Sequence, residues 1–167
     1  FHELRLYPLS RPRGKHVRLD EVAQGILFEL QKDARNTTIA EIANRVEVSS
    51  TTVRNRIDEM ESMGVIEGYR PEIDYEVAGF PLNVLFICHS SAADRELDEG
   101  LLSVPGVVSA QEMLTDNRDV HVEAVASDTD ALATITDKLT EYGLEIVTSE
   151  IVSNHYVSPW GHFEYQA

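Results

Sequence analysis

Eight consecutive residues, from Ser49 to Arg56, concentrate hydroxyl, guanidinium and amide side chains in the sequence SSTTVRNR. Arginine can pair with guanine and asparagine with adenine in the major groove of DNA. Hydroxyls and backbone amides at the start of a helix can hold a phosphate. The stretch therefore predicts a DNA-reading helix, with Arg56 and Arg70 as backbone contacts. The predicted DNA-binding set is Ser50, Thr51, Thr52, Arg54, Asn55, Arg56 and Arg70.

The charge of the chain is unevenly distributed, which bears on this prediction. Of the formal net charge of −15, residues 1–79 contribute −3, from 11 basic and 14 acidic residues. Residues 80–167 contribute −12, from 3 basic and 15 acidic residues. The asymmetry predicts two domains with different partners. An acidic surface with few lysines indicates adaptation to high internal salt, as in a halophilic archaeon.

Three helices are predicted to position the polar stretch. Residues 19–35 have apolar side chains at i, i+3 and i+4 spacing, which is typical of a helix packed on a core. Thr38 and Glu41 form a capping box at the start of a second helix. Ser49 caps a third helix, whose buried face is predicted to be Val53, Ile57 and Met60. The exposed face is then Thr51, Arg54, Asn55 and Asp58, with Arg56 at its flank.

Two short helices joined by a tight turn, the second with a polar outer face, predict a helix-turn-helix. Residues 64–73, GVIEGYRPEI, follow it and predict a hairpin or a wing. A plainer interpretation stays open, in which the three helices form a packing module whose charges are only solvated.

The second half of the chain has the element order β-α-β-β-α-β. Strands are predicted at 82–90, 107–114, 119–126 and in the run 143–157, with helices at 93–104 and 128–142. This order is that of a ferredoxin-like domain, so the predicted fold class is α+β. Both faces of the first strand are apolar, and a sheet with helices on one side must cover its other face with something.

Residues 19–74 closely resemble the DNA-binding domain of Lrp/AsnC-type transcription regulators. The matching positions include Leu19-Asp20, Ile42-Ala43, Arg56-Ile57 and Gly68-Tyr69. The order of the second half is similar to the RAM-type domain of that family. The resemblance implies a homodimer, extending to an octamer, that reads a palindromic operator in double-stranded DNA. It also implies a small effector, usually an amino acid.

Two positions depart from the family pattern. Glu47 stands where the turn between the helices usually has glycine; if φ is positive there, the cost is about 1 kcal/mol. The effector loop usually has the form Thr-Gly-x-x-Asp, and here Asp116 replaces the glycine. A carboxylate there would repel the carboxylate of an amino acid. The alternatives that stay open are an amino acid whose charge Arg118 balances, a cation, another molecule, or no effector at all. The predicted effector residues are Thr115, Asp116, Asn117, Arg118 and Asp119.

The remaining reactive side chains do not form a catalytic set. Cys88 is the single cysteine of the chain, which excludes an internal disulfide and fits the cytoplasm. It lies in an apolar strand and is predicted to be a packed thiol. His89 and His121 are predicted to lie side by side, as polar contacts at a dimer face or, less simply, as metal ligands. The sequence predicts no enzyme, cofactor or metal and no membrane span. Two alternatives are a siroheme decarboxylase-like enzyme and an assembly module without DNA affinity.

These predictions divide the chain into four parts. Residues 1–18 are a basic arm or a cloning leader, and residues 19–79 are the DNA-binding domain. Residues 80–157 are the effector-binding and oligomerisation domain, and residues 158–167 are a C-terminal tail.

Overall fold

A computed structural model of the chain describes residues 17–90, 99–113 and 119–156. The contacts form two compact units: one ends at Pro71, and the other runs from Glu72 to His155. Within the described ranges, no helix combines the length and the apolar character that a membrane crossing requires.

The first unit contains α1 (Glu21–Asp33), α2 (Ile39–Arg45) and α3 (Ser50–Ser62). Each helix begins at a polar side chain that accepts a backbone N–H of the first turn: Asp20 for α1, Thr38 for α2 and Ser49 for α3. The capping box at α2 is confirmed, because Glu41 Oε2 also accepts from Thr38 N at 2.7 Å. The apolar faces meet in one core, formed by Ala23, Ile26, Leu27, Ile42, Ala43, Val46, Val53 and Met60.

The hairpin considered for residues 64–73 is wrong, because this segment contains no paired strands. The backbone N–H groups of Val65 and Ile66 both donate to Met60 O, at 2.8 and 3.2 Å, and so close the end of α3. Both side chains pack against the helical core. Val65 and Ile66 therefore pack on the helices and do not form a strand. Pro71 has no backbone N–H and could not donate to a strand ladder.

The second unit contains β1 (Leu82–Ser90), α4 (Glu99–Leu102), β2 (Val107–Glu112), β3 (Asp119–Ala126), α5 (Thr129–Tyr142) and β4 (Leu144–Ile151). The strands form one antiparallel sheet in the order β2-β3-β1-β4. The predicted α+β class and ferredoxin-like order are confirmed. One face packs against α4 and α5; its core residues are Val84, Phe86, Cys88, Leu101, Val120, Val122, Ala124, Ala126, Ile135, Leu139 and Leu144.

The last strand is shorter than the predicted run to residue 157. Ile151 is paired with Val84, and Val152 N donates to Asn83 O at 2.8 Å. Since β1 begins at Leu82, it offers β4 almost no further strand to pair with beyond this point. Its length is set by its partner, which the apolar pattern of β4 does not reveal.

Gly106, before β2, marks a close approach between α5 and the sheet. Its φ is +96°, and a Cβ there would lie 2.5 Å from Ile135 Cδ1 and 2.8 Å from Val125 O. Only glycine fits both the backbone conformation and the space.

Candidate DNA-binding surface

The orientation of α3 follows from its buried side chains. Val53 and Met60 are 0% and 1% exposed, and they hold one side of the helix in the core. The opposite side is exposed as predicted; it presents Thr51, Arg54, Asn55 and Asp58. A guanidinium and an amide therefore project from the first two turns of the helix into solvent, where base edges can be reached.

The start of α3 combines the cap with exposed small residues. Ser49 Oγ accepts from Thr52 N at 3.0 Å and lies 2.8 Å from Thr52 Oγ1. Thr52 is thus occupied by the cap and only partly exposed, whereas Ser50 and Thr51 are exposed beside it. The positive end of the helix dipole lies at this place, which suits a phosphate.

The turn that delivers α3 contains the predicted backbone irregularity. Glu47 has φ of 54°, so the position that departs from the glycine pattern does require a left-handed conformation. Val48 N donates to Ala43 O at 3.0 Å, which closes the turn onto α2. The glutamate is accommodated at a cost of about 1 kcal/mol.

Charge changes sign along α3. The first half carries Arg54 and Arg56, whereas the second half carries Asp58, Glu59 and Glu61. Phosphates are attracted to the first half and repelled from the second. The charge pattern therefore favours an approach in which the N-terminal half of α3 meets DNA.

Arg56 differs from Arg54 in that its guanidinium is engaged inside the unit. Arg56 Nη2 donates to Asp20 Oδ2 at 2.7 Å, and Arg56 Nη1 donates to Glu59 Oε2 at 3.0 Å. Asp20 is also the N-cap of α1, since its Oδ1 accepts from Ala23 N at 2.8 Å. The ion pair thus connects α3 to the first turn of α1.

The segment after α3 is held at Tyr69, whose hydroxyl donates to Glu61 Oε1 at 3.0 Å. Burial, together with the Glu61 carboxylate, raises the pKa of Tyr69 to about 12, so the phenol keeps its proton. The next residue, Arg70, is exposed. The segment therefore places a cation beside the helix-turn-helix.

Comparison with known proteins identifies the family. A family model described as winged helix-turn-helix DNA-binding matches residues 19–67. The HTH-type transcriptional regulator Rv2324 of Mycobacterium tuberculosis is 34% identical over 113 residues, which cover 66% of this chain and 75% of that protein. The chain belongs to the Lrp/AsnC family of helix-turn-helix transcriptional regulators.

Solved Lrp-type structures share the fold of the described chain. The leucine response regulatory protein LrpA of Mycobacterium tuberculosis has a TM-score of 0.72 at 24% identity, over 87% of this chain and 99% of that chain. The feast or famine regulatory protein Rv3291c of the same organism, complexed with L-methionine, has a TM-score of 0.74 at 24% identity, with the same coverage. At this identity, the likeness establishes the fold.

Most of the predicted Lrp/AsnC effector loop lies outside the described residues, namely Thr115, Asp116, Asn117 and Arg118. The same holds for residues 1–16 of the basic arm and for the tail. Asp119 is described and begins β3, where its Oδ1 lies 2.6 Å from His89 Nδ1.

The face of the sheet that carries His89 is the one opposite α5. Leu85 and Ile87 are partly exposed on it, and they pair with Glu123 and His121 of β3. His89 and His121 therefore share one face, but they are not side by side as predicted, because the register places His89 opposite Asp119 and His121 opposite Ile87. Glu123 is held in place, because it accepts from Asn83 Nδ2 at 3.1 Å and from Ser109 Oγ at 3.3 Å.

Cys88 is on the covered face of the sheet, with no exposed surface. Burial raises the pKa of its thiol to about 11, so the thiolate is disfavoured. The prediction of a packed thiol is confirmed.

Sequence patterns did not reveal two ion pairs of the helical unit. One is the pair of Arg56 with Asp20, 36 residues apart. The other joins Arg45 Nη1 of α2 to Glu29 Oε2 of α1, where Glu29 is only 3% exposed. A carboxylate on the buried side of an amphipathic helix was the available signal for the second pair; no local pattern signals the first.

Proposed function

We propose that the protein is a sequence-specific regulator that reads a palindromic operator in double-stranded DNA through α3. The observation that carries this proposal is the burial of Val53 and Met60, which leaves Thr51, Arg54 and Asn55 exposed on one side of a helix-turn-helix. Arg54 and Asn55 would contact base edges, whereas Ser50, Thr51, Thr52 and Arg70 would contact the DNA backbone.

The proposed test replaces both base-reading side chains in the full chain. We expect Arg54→Ala with Asn55→Ala to weaken operator binding by about 100-fold or more, since each good base contact contributes on the order of 1–3 kcal/mol. Gel-shift titration against a duplex selected from a random pool by the unaltered protein measures the effect. Lys138→Ala, on α5, removes a cation from the other unit and should leave binding unchanged. Unchanged binding by the double variant would contradict the assignment.

We propose that two chains pair through the sheet face that carries Leu85 and Ile87, giving a homodimer that can assemble further, up to an octamer. Partial exposure of two large apolar side chains between polar rows supports a covered face. Ile87→Glu should shift the mass measured by light scattering to that of one chain. Ala133→Glu, which adds the same charge on the exposed side of α5, should not.

We propose that an amino acid or another small effector binds at residues 115–119. The support is the match of Thr115 and Asp119 to the family loop and the L-methionine complex of a structural neighbour. Calorimetric titration with L-methionine and the other common amino acids tests it, with Thr115→Ala as the variant that should lose binding. No heat with any amino acid would contradict an amino-acid effector and leave a cation, another molecule or no effector as the alternatives.

The acidic composition supports adaptation to high salt. We expect DNA binding to persist at about 1 M KCl, where counterion release contributes little and base contacts and shape must dominate. Loss of all binding between about 0.1 and 0.3 M KCl would contradict this.

Two other functions are separated by simple measurements. A siroheme decarboxylase-like enzyme would change the visible absorbance of the added tetrapyrrole, and an assembly module would retain no DNA on a filter. We expect DNA retention without an absorbance change.

A further inference from the structure

Arg54 and Arg56 are two residues apart in α3 but face different surroundings. At about 100° per residue, Arg56 lies about 40° from Met60 around the helix axis, next to the buried side. Its side chain is 39% exposed, and two of its nitrogens donate to carboxylates. Arg54 is exposed and lies on the opposite flank of the helix. The two arginines therefore have different roles.

The acceptor of Arg56 is itself held in place. Asp20 uses Oδ1 to cap α1 and Oδ2 to accept from Arg56, at 2.8 and 2.7 Å. The carboxylate thus cannot follow Arg56 outward without giving up the cap. Arg56, Asp20 and Glu59 border a shallow cavity of about 110 Å³ between the start of α1 and the second half of α3. The guanidinium is directed to this side of the unit, toward α1.

We propose that Asp20 and Arg56 are positioning residues, which set the angle of α3 on α1, and that Arg56 contacts no phosphate. This revises the role expected for Arg56 from the sequence and rests on the proposed function. Both terminal nitrogens of the guanidinium already donate to carboxylates, and the negative charges of Asp20 and Glu59 repel a phosphate that approaches it. Ser49 to Asn55 present the recognising groups, and the Asp20–Arg56 pair holds them at the required angle.

The two roles predict opposite changes in DNA affinity when Asp20 loses its charge. Asp20→Asn keeps a good N-cap for α1 but removes the charge that holds Arg56. If Arg56 contacted phosphate, this variant would release Arg56 and make the protein less negative, so DNA binding would tighten. If the pair positions α3, binding weakens by roughly five-fold, the scale of an exposed ion pair.

Two variants of Arg56 add a second readout. Arg56→Lys keeps the charge but has one nitrogen in place of the planar fork whose two nitrogens reach Asp20 and Glu59, so it should weaken binding about as much as Arg56→Gln. Neither should change the slope of log K against log salt concentration. Loss of a phosphate contact would make that negative slope shallower by about 0.9, as we expect for Arg70→Gln.

The experiment measures the binding of the full-length variants to the selected duplex by fluorescence anisotropy over a series of KCl concentrations. Weaker binding by Asp20→Asn with an unchanged slope for Arg56→Gln supports the proposal. Tighter binding by Asp20→Asn, or a shallower slope for Arg56→Gln, overturns it and leaves the proposed function standing. If the unaltered protein selects no duplex, both fail. Circular dichroism melting of each variant checks that the helices are retained.

Discussion

The two units of the molecule use their charged residues in opposite ways. In the helical unit, carboxylates are partners of arginines: Glu29 of Arg45, and Asp20 and Glu59 of Arg56. In the sheet unit, whose net charge is far more negative, Glu123 is held instead by neutral donors of neighbouring strands. The comparison teaches that the overall acidity of the chain says little about any one surface. In the unit that would meet an anionic polymer, three carboxylates are paired with arginines and Asp58, Glu59 and Glu61 lie on the second half of α3.

The largest expected effect concerns the apolar cores, which both units need. Phe86, on the covered face of the sheet, is 2% exposed, so Phe86→Ala should lower the free energy of unfolding by about 3–5 kcal/mol. Urea titration followed by circular dichroism measures it. Val147→Ala, at an exposed position of β4, is the matched control and should cost less than about 0.5 kcal/mol. Equal effects would contradict the described core.

The next effect tests the paired charges of the helical unit. Arg45→Met leaves the buried Glu29 with Lys32, whose Nζ is 3.5 Å away, and should cost about 1–2 kcal/mol, because Arg45 is itself half-exposed. Glu29→Met removes the buried carboxylate itself, so no buried charge is left without its partner, and the free energy of unfolding should hardly change. Urea titration of both variants and of the double variant gives the coupling. If Glu29→Met lowered the free energy of unfolding more than Arg45→Met does, the ion pair would stabilise the protein more than an apolar contact at the same place.

A smaller effect concerns the turn before α3. Glu47→Gly relieves the strain of about 1 kcal/mol in the left-handed conformation, and the freer unfolded chain offsets part of it, so the protein should gain about 0.5 kcal/mol of stability or less. The melting temperature measures it, with Glu67→Gly on the segment after α3 as a control for glycine itself. A lower melting temperature for Glu47→Gly would indicate that its side chain contributes more than the strain costs.

The smallest effect is a pH dependence shared by the two units. Hydrogen bonds from the backbone and side chain of Thr38 lower the pKa of Glu41, and the N–H of Ala131, followed by the Ser127 hydroxyl, lowers that of Asp128. A lowered folded-state pKa gives stability that is present above the unfolded pKa and lost as the pH falls through the folded one. Glu41→Gln and Asp128→Asn should therefore each flatten the acid side of the stability profile. An unchanged slope below about pH 4 would contradict the assigned bonds.

Local patterns determined more of the helical unit than of the sheet unit. The caps at Thr38 and Ser49 and the inner face of α3 follow from residue types at fixed spacing, and they are confirmed. The bounds of β1 follow from a near-continuous apolar run, and those of β3 from apolar residues that alternate with polar ones after a polar turn. The end of β4 and the use of Val65 and Ile66 could not be read in this way, because each depends on a partner remote in sequence.

The sequence by itself determined the element order, the family and the side of α3 on which Arg54 and Asn55 lie, since these depend on side-chain periods within one segment. Only the tertiary structure decided what Arg56 does. The helical period places Arg56 at a flank of α3. It cannot show that Asp20, 36 residues earlier, has a second carboxylate oxygen within hydrogen-bond distance of that flank. Interactions within a turn are encoded by spacing, whereas an ion pair between two helices exists only once their packing has brought the charges together.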